Sequence, residues 1–403
     1  MEKRTQTTRR YEIISDEAEF HALQPEWDAL WSKAHGYCYQ SFAFCWLAWL
    51  YVSKPHGRKL KCIVGREDGQ IVMIWPLEAV KRALWTYLVP LGPENGEYTS
   101  VLVEQNASTA ELVTGAWETA RRRCGADFIH LPYVRETLEL HKVVMAERRL
   151  LFVEPHKSSA AKLRGERNWD DYCRSLGTLF GKRAGSFAKK LSKVGKVAVR
   201  MLDPTEESET AALIKWMFGC KRMWSDRVGK YSVWLDSPEF ERFLAKLIHS
   251  DDMPSMARLI VVTLDEAPVA VMIVSLGNPA ASAIISGFDA NYGKCSPGLI
   301  ALEECVKWAF ESGYDLEFGV GTEDGKAFWS RGEATTAWTV QTINSTWGLA
   351  AIRGRRAARE VIARVKKPRP AEVEATPPGE GVAGAPGMRL PTPEVLSQSG
   401  AGE

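Results

Sequence analysis

The amino-acid sequence predicts an α/β (α+β) protein with two similar units in tandem, because the same order of elements occurs twice. Two segments, beginning at residues 62 and 259, each read as an apolar strand, an acidic turn and a second apolar strand: CIVGREDGQIVMIWPLEAV and LIVVTLDEAPVAVMIVSLG. This pattern is typical of a β-hairpin. After each hairpin comes an amphipathic helix that carries a Trp, then a Gly, an Asp and an apolar strand, at 110–131 and 299–320. The shared order predicts mixed central sheets flanked by helices.

The composition is that of a globular protein. Apolar residues make up 45% and charged residues 25% of the 403 residues, and the net charge is only +2, so the chain as a whole is not a polycation. The eight cysteines include no C-x-x-C pair, which argues against a disulfide framework. The start, MEKRTQTTRRYEI, lacks the apolar segment of a secretory signal, and no apolar run is long enough for a membrane span. We therefore expect a cytoplasmic protein.

The chain divides into four predicted regions. An N-terminal unit (1–165) is followed by a basic helical linker (166–200) and a second unit (201–366). The tail, 367–403, is rich in Pro, Gly and Ala and nearly free of aromatic residues. Such a segment buries too little apolar surface to offset its ordering entropy, so we expect the tail to be disordered.

One predicted helix begins without an acidic residue in its first turn. Ser296 precedes Pro297, which suits the first helical position because proline has no N–H to leave unpaired, and the first carboxylate is Glu303. Acidic residues are usually favoured at this end by the helix dipole. The bare start, with Gly298 leaving room for close backbone approach, fits a phosphate-bearing ligand. Capping by Ser296 and water is the alternative, and local chemistry leaves both open.

Short motifs around this helix and in the first half carry a family resemblance. They are FD at 288–289, SPG at 296–298, GYD at 313–315, FGVG at 318–321, a Lys at 326, CKRMWSDRVGKYSVW at 220–234, WPL at 75–77 and LGPENGEYTSVLV at 91–103. With these motifs the chain resembles the CelD-like acetyltransferases, a double-domain branch of the GNAT acyltransferase superfamily that is related to the Fem-type aminoacyl transferases. The resemblance is strongest over 282–330.

The resemblance implies two GNAT-like domains in tandem, of which the second binds an acyl-CoA. It implies that the pyrophosphate of coenzyme A lies against the helix start formed by Ser296, Pro297, Gly298 and Leu299. The first half, whose helix begins near NASTAELV without a Ser-Pro-Gly entry, would shape the acceptor side. The implied activity is transfer of an acyl group from acetyl-CoA or another acyl-CoA to an amine or hydroxyl of a small-molecule or glycan-precursor acceptor. The resemblance further suggests exopolysaccharide or cell-envelope biosynthesis.

Three residues are candidates for the chemistry. Acyl transfer from a thioester needs an oriented acceptor, a base for its proton and donors for the developing oxyanion. Glu317, on the strand after the helix, and Glu97, in the matching region of the first half, are alternative bases; either could instead be a solvated carboxylate at a strand edge. Lys326 matches a lysine of the family and would hold a phosphate or polarise a carbonyl, unless it is an ordinary surface lysine.

Five residues are candidates for contact with the acceptor. Trp224, Tyr231 and Trp329 would line an acceptor cleft, although large aromatic residues also serve as core. Tyr98 accompanies Glu97 in the first half. Lys221 would face an anionic acceptor or merely solvate a helix.

Other functions stay open. The histidines show no H-x-x-x-H spacing, so we expect no metal site. A Fem-like transfer from aminoacyl-tRNA is one alternative, which the basic run at 182–200 would serve; the run has one aromatic residue, so nucleic-acid binding is otherwise not expected. A non-catalytic binding or scaffold protein that retains the fold is another. The basic amphipathic segment 347–367 would pack on the second unit or contact a membrane surface peripherally.

Overall fold

The computed structural model describes residues 9–93, 98–202, 207–229, 233–278, 280–321, 323–350, 352 and 354. The predicted disordered tail and most of the basic segment 347–367 lie outside these residues. None of the helices within the described ranges is long and apolar enough to cross a bilayer.

The elements follow the order that the sequence predicts. Those of the first half are β1 (Arg9–Ile14), α1 (Glu17–Ala22), α2 (Gln24–Lys33), α3 (Phe42–Ala48), β2 (Lys59–Leu60), β3 (Cys62–Glu67), β4 (Gln70–Trp75), β5 (Leu77–Arg82), β6 (Trp85–Pro90), β7 (Leu102–Val103), α4 (Thr109–Arg123), β8 (Phe128–Arg135), α5 (Glu139–Met145) and β9 (Leu150–Ala161). Those that follow are α6 (Trp169–Ser175), β10 (Val197–Met201), α7 (Glu207–Val228), α8 (Pro238–Ile248), β11 (Ala257–Leu264), β12 (Ala267–Ser275), β13 (Ala280–Phe288), α9 (Pro297–Glu311), β14 (Asp315–Val320), α10 (Asp324–Trp329) and β15 (Thr335–Ile343).

Both predicted hairpins and both helix–strand units are present, so the predicted α/β class is confirmed. The pairs β3–β4 and β11–β12 are antiparallel and joined by two-residue turns. Both turn residues have positive φ in each case, Asp68 and Gly69 in one and Asp265 and Glu266 in the other, which is the type I′ geometry that matches strand twist. After each hairpin a helix crosses to a parallel strand pair, β6–β8 in the first half and β13–β14 in the second.

The two halves share one continuous sheet. Eleven strands pair in the order β10-β11-β12-β13-β14-β9-β15-β8-β6-β5-β2, and β1-β3-β4-β7 form a second sheet. The last strand of each half crosses over: β9 pairs with β14 of the second half, and β15 pairs with β8 of the first. The halves are therefore joined by backbone hydrogen bonds.

The segment predicted as a basic helical linker differs from the prediction. Only α6 is α-helical; short 3₁₀ turns follow at Phe187–Lys189 and Leu191–Lys193, and β10 begins at Val197. Gly181 and Gly185 have positive φ, which interrupts a helix. Phe187 and Leu191 are fully buried in the same core as α9. The segment is thus packed on the second half rather than solvated.

Two helices cover opposite faces of the second-half sheet. Side chains on one face of β11 and β12 share a core with α7, and the alternate side chains share a different core with α9. At the end of β13 the same alternation holds: Gly287 lies against Met217 of α7, whereas Phe288 lies against Gly298 of α9. Any ligand between the ends of β13 and β14 is therefore flanked by α7 on one side and α9 on the other.

Candidate functional site

Strands β13 and β14 diverge in the middle of the sheet. Their parallel pairing covers only three positions, from Ala280–Asp315 to Ser282–Glu317. Beyond Glu317, β13 continues to Phe288 alongside β12, while β14 follows β9. The result is a V-shaped gap with Glu317 at its vertex, opening toward the start of α9. Strand edges that separate in this way leave backbone groups able to pair with an extended ligand.

The start of α9 is as bare as the sequence indicates, but Ser296 behaves differently from the expectation. Ser296 adopts a left-handed conformation (φ 57°, ψ 52°), and its hydroxyl makes no capping hydrogen bond. It therefore precedes the helix without capping it. Pro297 occupies the first turn, which contains no acidic residue. A Cβ added to Gly298 would lie 3.4 Å from the ring of Phe288, so this position has room for little more than a small group.

A basic segment lies beside this helix start. The amide of Gly185 donates to the carboxylate of Glu303 in α9, and the amine of Lys190 donates to the carbonyl oxygen of Lys294 at 2.7 Å. The basic side chains of this segment, Lys182, Arg183, Lys189, Lys190 and Lys193, are half-buried or exposed. The basic run and the helix dipole thus place positive charge at one end of the gap.

Glu317 forms a buried ion pair across the two halves. Its carboxylate lies 2.9 Å from the guanidinium of Arg135, and the two side chains are only 7% and 14% exposed. The guanidinium lies over the rings of Tyr98 and Tyr37, 4.0 and 4.8 Å from their centroids, and donates to the Tyr37 hydroxyl at 2.8 Å. Tyr39 stacks on Tyr37. A charge held this deeply needs such partners to offset its desolvation.

Burial dominates the proton affinities in this cluster. It opposes the charged form of Arg135, but Glu317 and the surrounding tyrosines outweigh it, so the pKa of Arg135 lies above its ordinary value. Burial raises the pKa of Tyr98 to about 12, with the charge of Glu317 adding to the effect and Arg135 opposing it. Tyr98 is thus a neutral phenol near pH 7.

Two lysines meet just beyond the end of β14. The amine of Lys326 donates to the carbonyl oxygen of Val320 at 2.7 Å and lies 3.0 Å from Glu323. Lys326 also lies close enough to Lys221 of α7 to affect its protonation. Burial, followed by repulsion from Lys326, lowers the pKa of Lys221 to about 8. Gly321 makes room for this arrangement: its φ is 129°, and a Cβ there would lie 2.8 Å from the Lys326 amine.

The aromatic candidates have different environments. Trp329 is fully buried, stacks on Trp169 and Tyr172, and belongs to the core beneath α9. Its assignment to the acceptor cleft is therefore corrected to a core role, because its ring has no exposed surface. Trp224 is half-buried, and its ring centroid lies 5.6 Å from the amine of Lys221. Glu97 and Tyr231 lie outside the described residues.

The structure also adds residues that the sequence analysis missed. Arg135, Tyr37 and Tyr39 come from the first half, yet they surround Glu317 of the second. A Tyr-x-Tyr pair and an Arg at a strand end carry no local signal of partnership, since their contacts depend on pairing between distant strands. In the described part of the chain, no group of three or more His, Cys, Asp or Glu residues could hold a metal ion.

Comparison with known proteins places the second half in a recognised domain family. Residues 181–327 match the family model of the acetyltransferase (GNAT) domain, so the chain contains an acyltransferase-type domain that holds the gap, α9 and Lys326. No curated protein sequence matches the chain significantly.

Solved structures with a similar fold cover both halves. FemX superposes with a TM-score of 0.55 at 13% identity, over 83% of this chain and 98% of FemX. The C-terminal domain of a chain assigned as a lysylphosphatidylglycerol synthetase from Agrobacterium fabrum gives 0.52 at 10% identity, over 84% and 96% of the two chains. A protein of unknown function from Bacteroides thetaiotaomicron gives 0.51 at 10% identity, over 83% and 100%. Likeness at these identities describes the fold.

Proposed function

We propose that this protein is an acyltransferase that moves an acyl group from acetyl-CoA or another acyl-CoA to an amine or hydroxyl of a small-molecule or glycan-precursor acceptor. The observation that carries the proposal is the gap between β13 and β14, which opens onto the acid-free start of α9 within the region that matches the GNAT domain. The CelD-like resemblance supports exopolysaccharide or cell-envelope synthesis as the setting.

The donor side fits the parts of an acyl-CoA. A pyrophosphate suits the N–H groups at the start of α9, because the helix dipole favours an anion there and the first turn brings no competing carboxylate. Basic side chains near Lys190 supply counter-charges for further phosphates. The diverging strand edges suit the extended, amide-bearing arm of the cofactor.

The chemistry needs a proton acceptor near the vertex of the gap. The acceptor nitrogen or oxygen would attack the thioester carbonyl, the carbon–sulfur bond would break, and the acceptor proton would pass to a base. We propose Glu317 or Glu97 for this base. Glu317 would have to separate from Arg135 in order to take a proton, which makes that pair part of the mechanism under this assignment. Lys326 would polarise the carbonyl after releasing Val320.

A calorimetric titration of the full chain with acetyl-CoA tests the donor. We expect saturable one-site binding, followed by release of free thiol when a panel of amino sugars, amino acids and nucleotide sugars is supplied as acceptors. A folded sample that binds neither acetyl-CoA nor desulfo-CoA would contradict the proposal.

Transfer from an aminoacyl-tRNA is the second candidate. The exposed basic residues beside α9, including Arg183, Lys189 and Lys193, favour a polyanionic donor as well. Binding of charged tRNA without binding of acetyl-CoA would select this candidate. Binding of neither donor would favour the non-catalytic alternative.

A further inference from the structure

Lys221 is a partly buried amine at the gap between β13 and β14. Met217, one turn earlier in α7, packs so closely on β13 that a Cβ on Gly287 would lie 2.6 Å from the Met217 carbonyl oxygen. Lys221 therefore lies on the side of α7 that faces the sheet. Its amine is near Lys326 and Glu323, which follow the end of β14.

Lys221 has no hydrogen-bonded or ion-paired acid among the residues that the structure describes. The ring of Trp224 is its aromatic neighbour, and Lys326 has already taken Glu323 as its own partner. Arg222, the next residue, contrasts with it, because its guanidinium pairs with Glu241 and lies 3.5 Å from Asp236. Two amines thus share one carboxylate at this point.

Such an arrangement is costly unless an anion completes it. A cation removed from water loses solvation that only a partner can replace, and a second cation nearby adds repulsion. Burial and Lys326 together lower the pKa of Lys221 to about 8, which is the signature of that cost. An anionic group bound between the two amines would relieve both terms. Perturbed groups of this kind concentrate at functional sites.

We propose that Lys221, with Lys326 beside it, forms a subsite for an anionic group, a carboxylate or a phosphate, carried by the acyl acceptor. This assignment to the acceptor rests on the proposed function, since it takes the start of α9 as the donor site. Lys221 belongs to α7, on the opposite face of the sheet from α9. A donor held at α9 would reach the gap from one face, and an acceptor held at Lys221 would reach it from the other.

Competitive labelling tests the subsite without knowledge of the acceptor. Trace acetic anhydride would be applied to the full chain, with and without inorganic phosphate at constant ionic strength, and labelling read by mass spectrometry. Lys215, exposed on the same helix, is the internal control. At phosphate ten times its Kd, we expect labelling of Lys221 to slow about tenfold by mass action, with Lys215 unaffected. Saturating coenzyme A should leave the phosphate effect in place.

Two variants supply a second measurement. Inorganic phosphate should raise the melting temperature of the wild type and of Lys221→Arg, which keeps the charge, but not that of Lys221→Met. A melting shift that persists in Lys221→Met, or equal slowing of Lys215 and Lys221, would overturn the subsite. Loss of the phosphate effect when coenzyme A is bound would assign the anion to the donor and overturn the acceptor assignment. Protection of Lys221 in a protein that does not bind coenzyme A would leave the anion subsite standing and remove the proposed donor.

Discussion

Adding one carboxylate at Gly298 should separate the stability of α9 from its proposed role in binding the donor. Gly298 is the second residue of the helix, and a Cβ there would lie 3.4 Å from Phe288, an ordinary contact distance. Gly298→Asp can therefore be accommodated with a small adjustment of that ring. Gly298→Asn has nearly the same shape without the charge and is the matched control.

The two effects of the charge have opposite signs. An acidic residue in the first turn stabilises a helix by about 0.3–1 kcal/mol, so Gly298→Asp should melt at or above the temperature of Gly298→Asn. A bound phosphate would meet a like charge at this position. At a separation of about 8 Å and an effective dielectric constant of about 20, that repulsion is about 2 kcal/mol, which corresponds to about a 30-fold weaker Kd.

Calorimetric titration with acetyl-CoA, together with thermal melting of both variants, measures these effects. We expect Gly298→Asp to bind much more weakly than Gly298→Asn, and the difference to shrink as salt is raised, because exposed charges are screened. Equal affinities for the two variants, with both proteins folded, would refute the phosphate role of this helix start.

Three further predictions concern buried groups. Glu317→Gln leaves Arg135 buried without its counter-charge and should lower the free energy of unfolding in urea by about 3–5 kcal/mol, whereas replacing both residues by Leu should cost far less; a loss below about 1 kcal/mol for the single change would contradict the pairing. Trp329→Ala should cost about 3–5 kcal/mol in the same assay while the folded fraction still binds acetyl-CoA, and selective loss of binding would return Trp329 to the site. Because the pKa of Lys221 is about 8 when folded and 10.5 ordinarily, the unfolded chain binds more protons between these values; wild-type stability should therefore gain an increment as pH rises through that range that Lys221→Met lacks, and identical pH profiles of the urea midpoint would contradict the lowered pKa.

Much of the fold can be predicted from local pattern. The acidic turns at Asp68 and Asp265 lie between apolar runs of strand length, and hairpins form there because neighbouring residues along the chain supply both strands. The acid-free start at Pro297 is also readable directly, because helix termini follow local rules. The basic segment after Lys182 was misread as helical, since its apolar residues pack on α9 while glycines break its helical geometry.

The sequence by itself determined the two repeated units, the bare start of α9 and the residue types available to the gap. Only the tertiary structure decided which of them meet. Glu317 acquires Arg135 as its partner because β9 and β15 cross between the halves and draw β8 toward β14. Trp329 becomes core, whereas Lys221 faces the gap, because each depends on packing between elements far apart in the chain. Local sequence sets backbone preferences, but partnership between distant side chains depends on strand order and helix packing, which no short segment specifies.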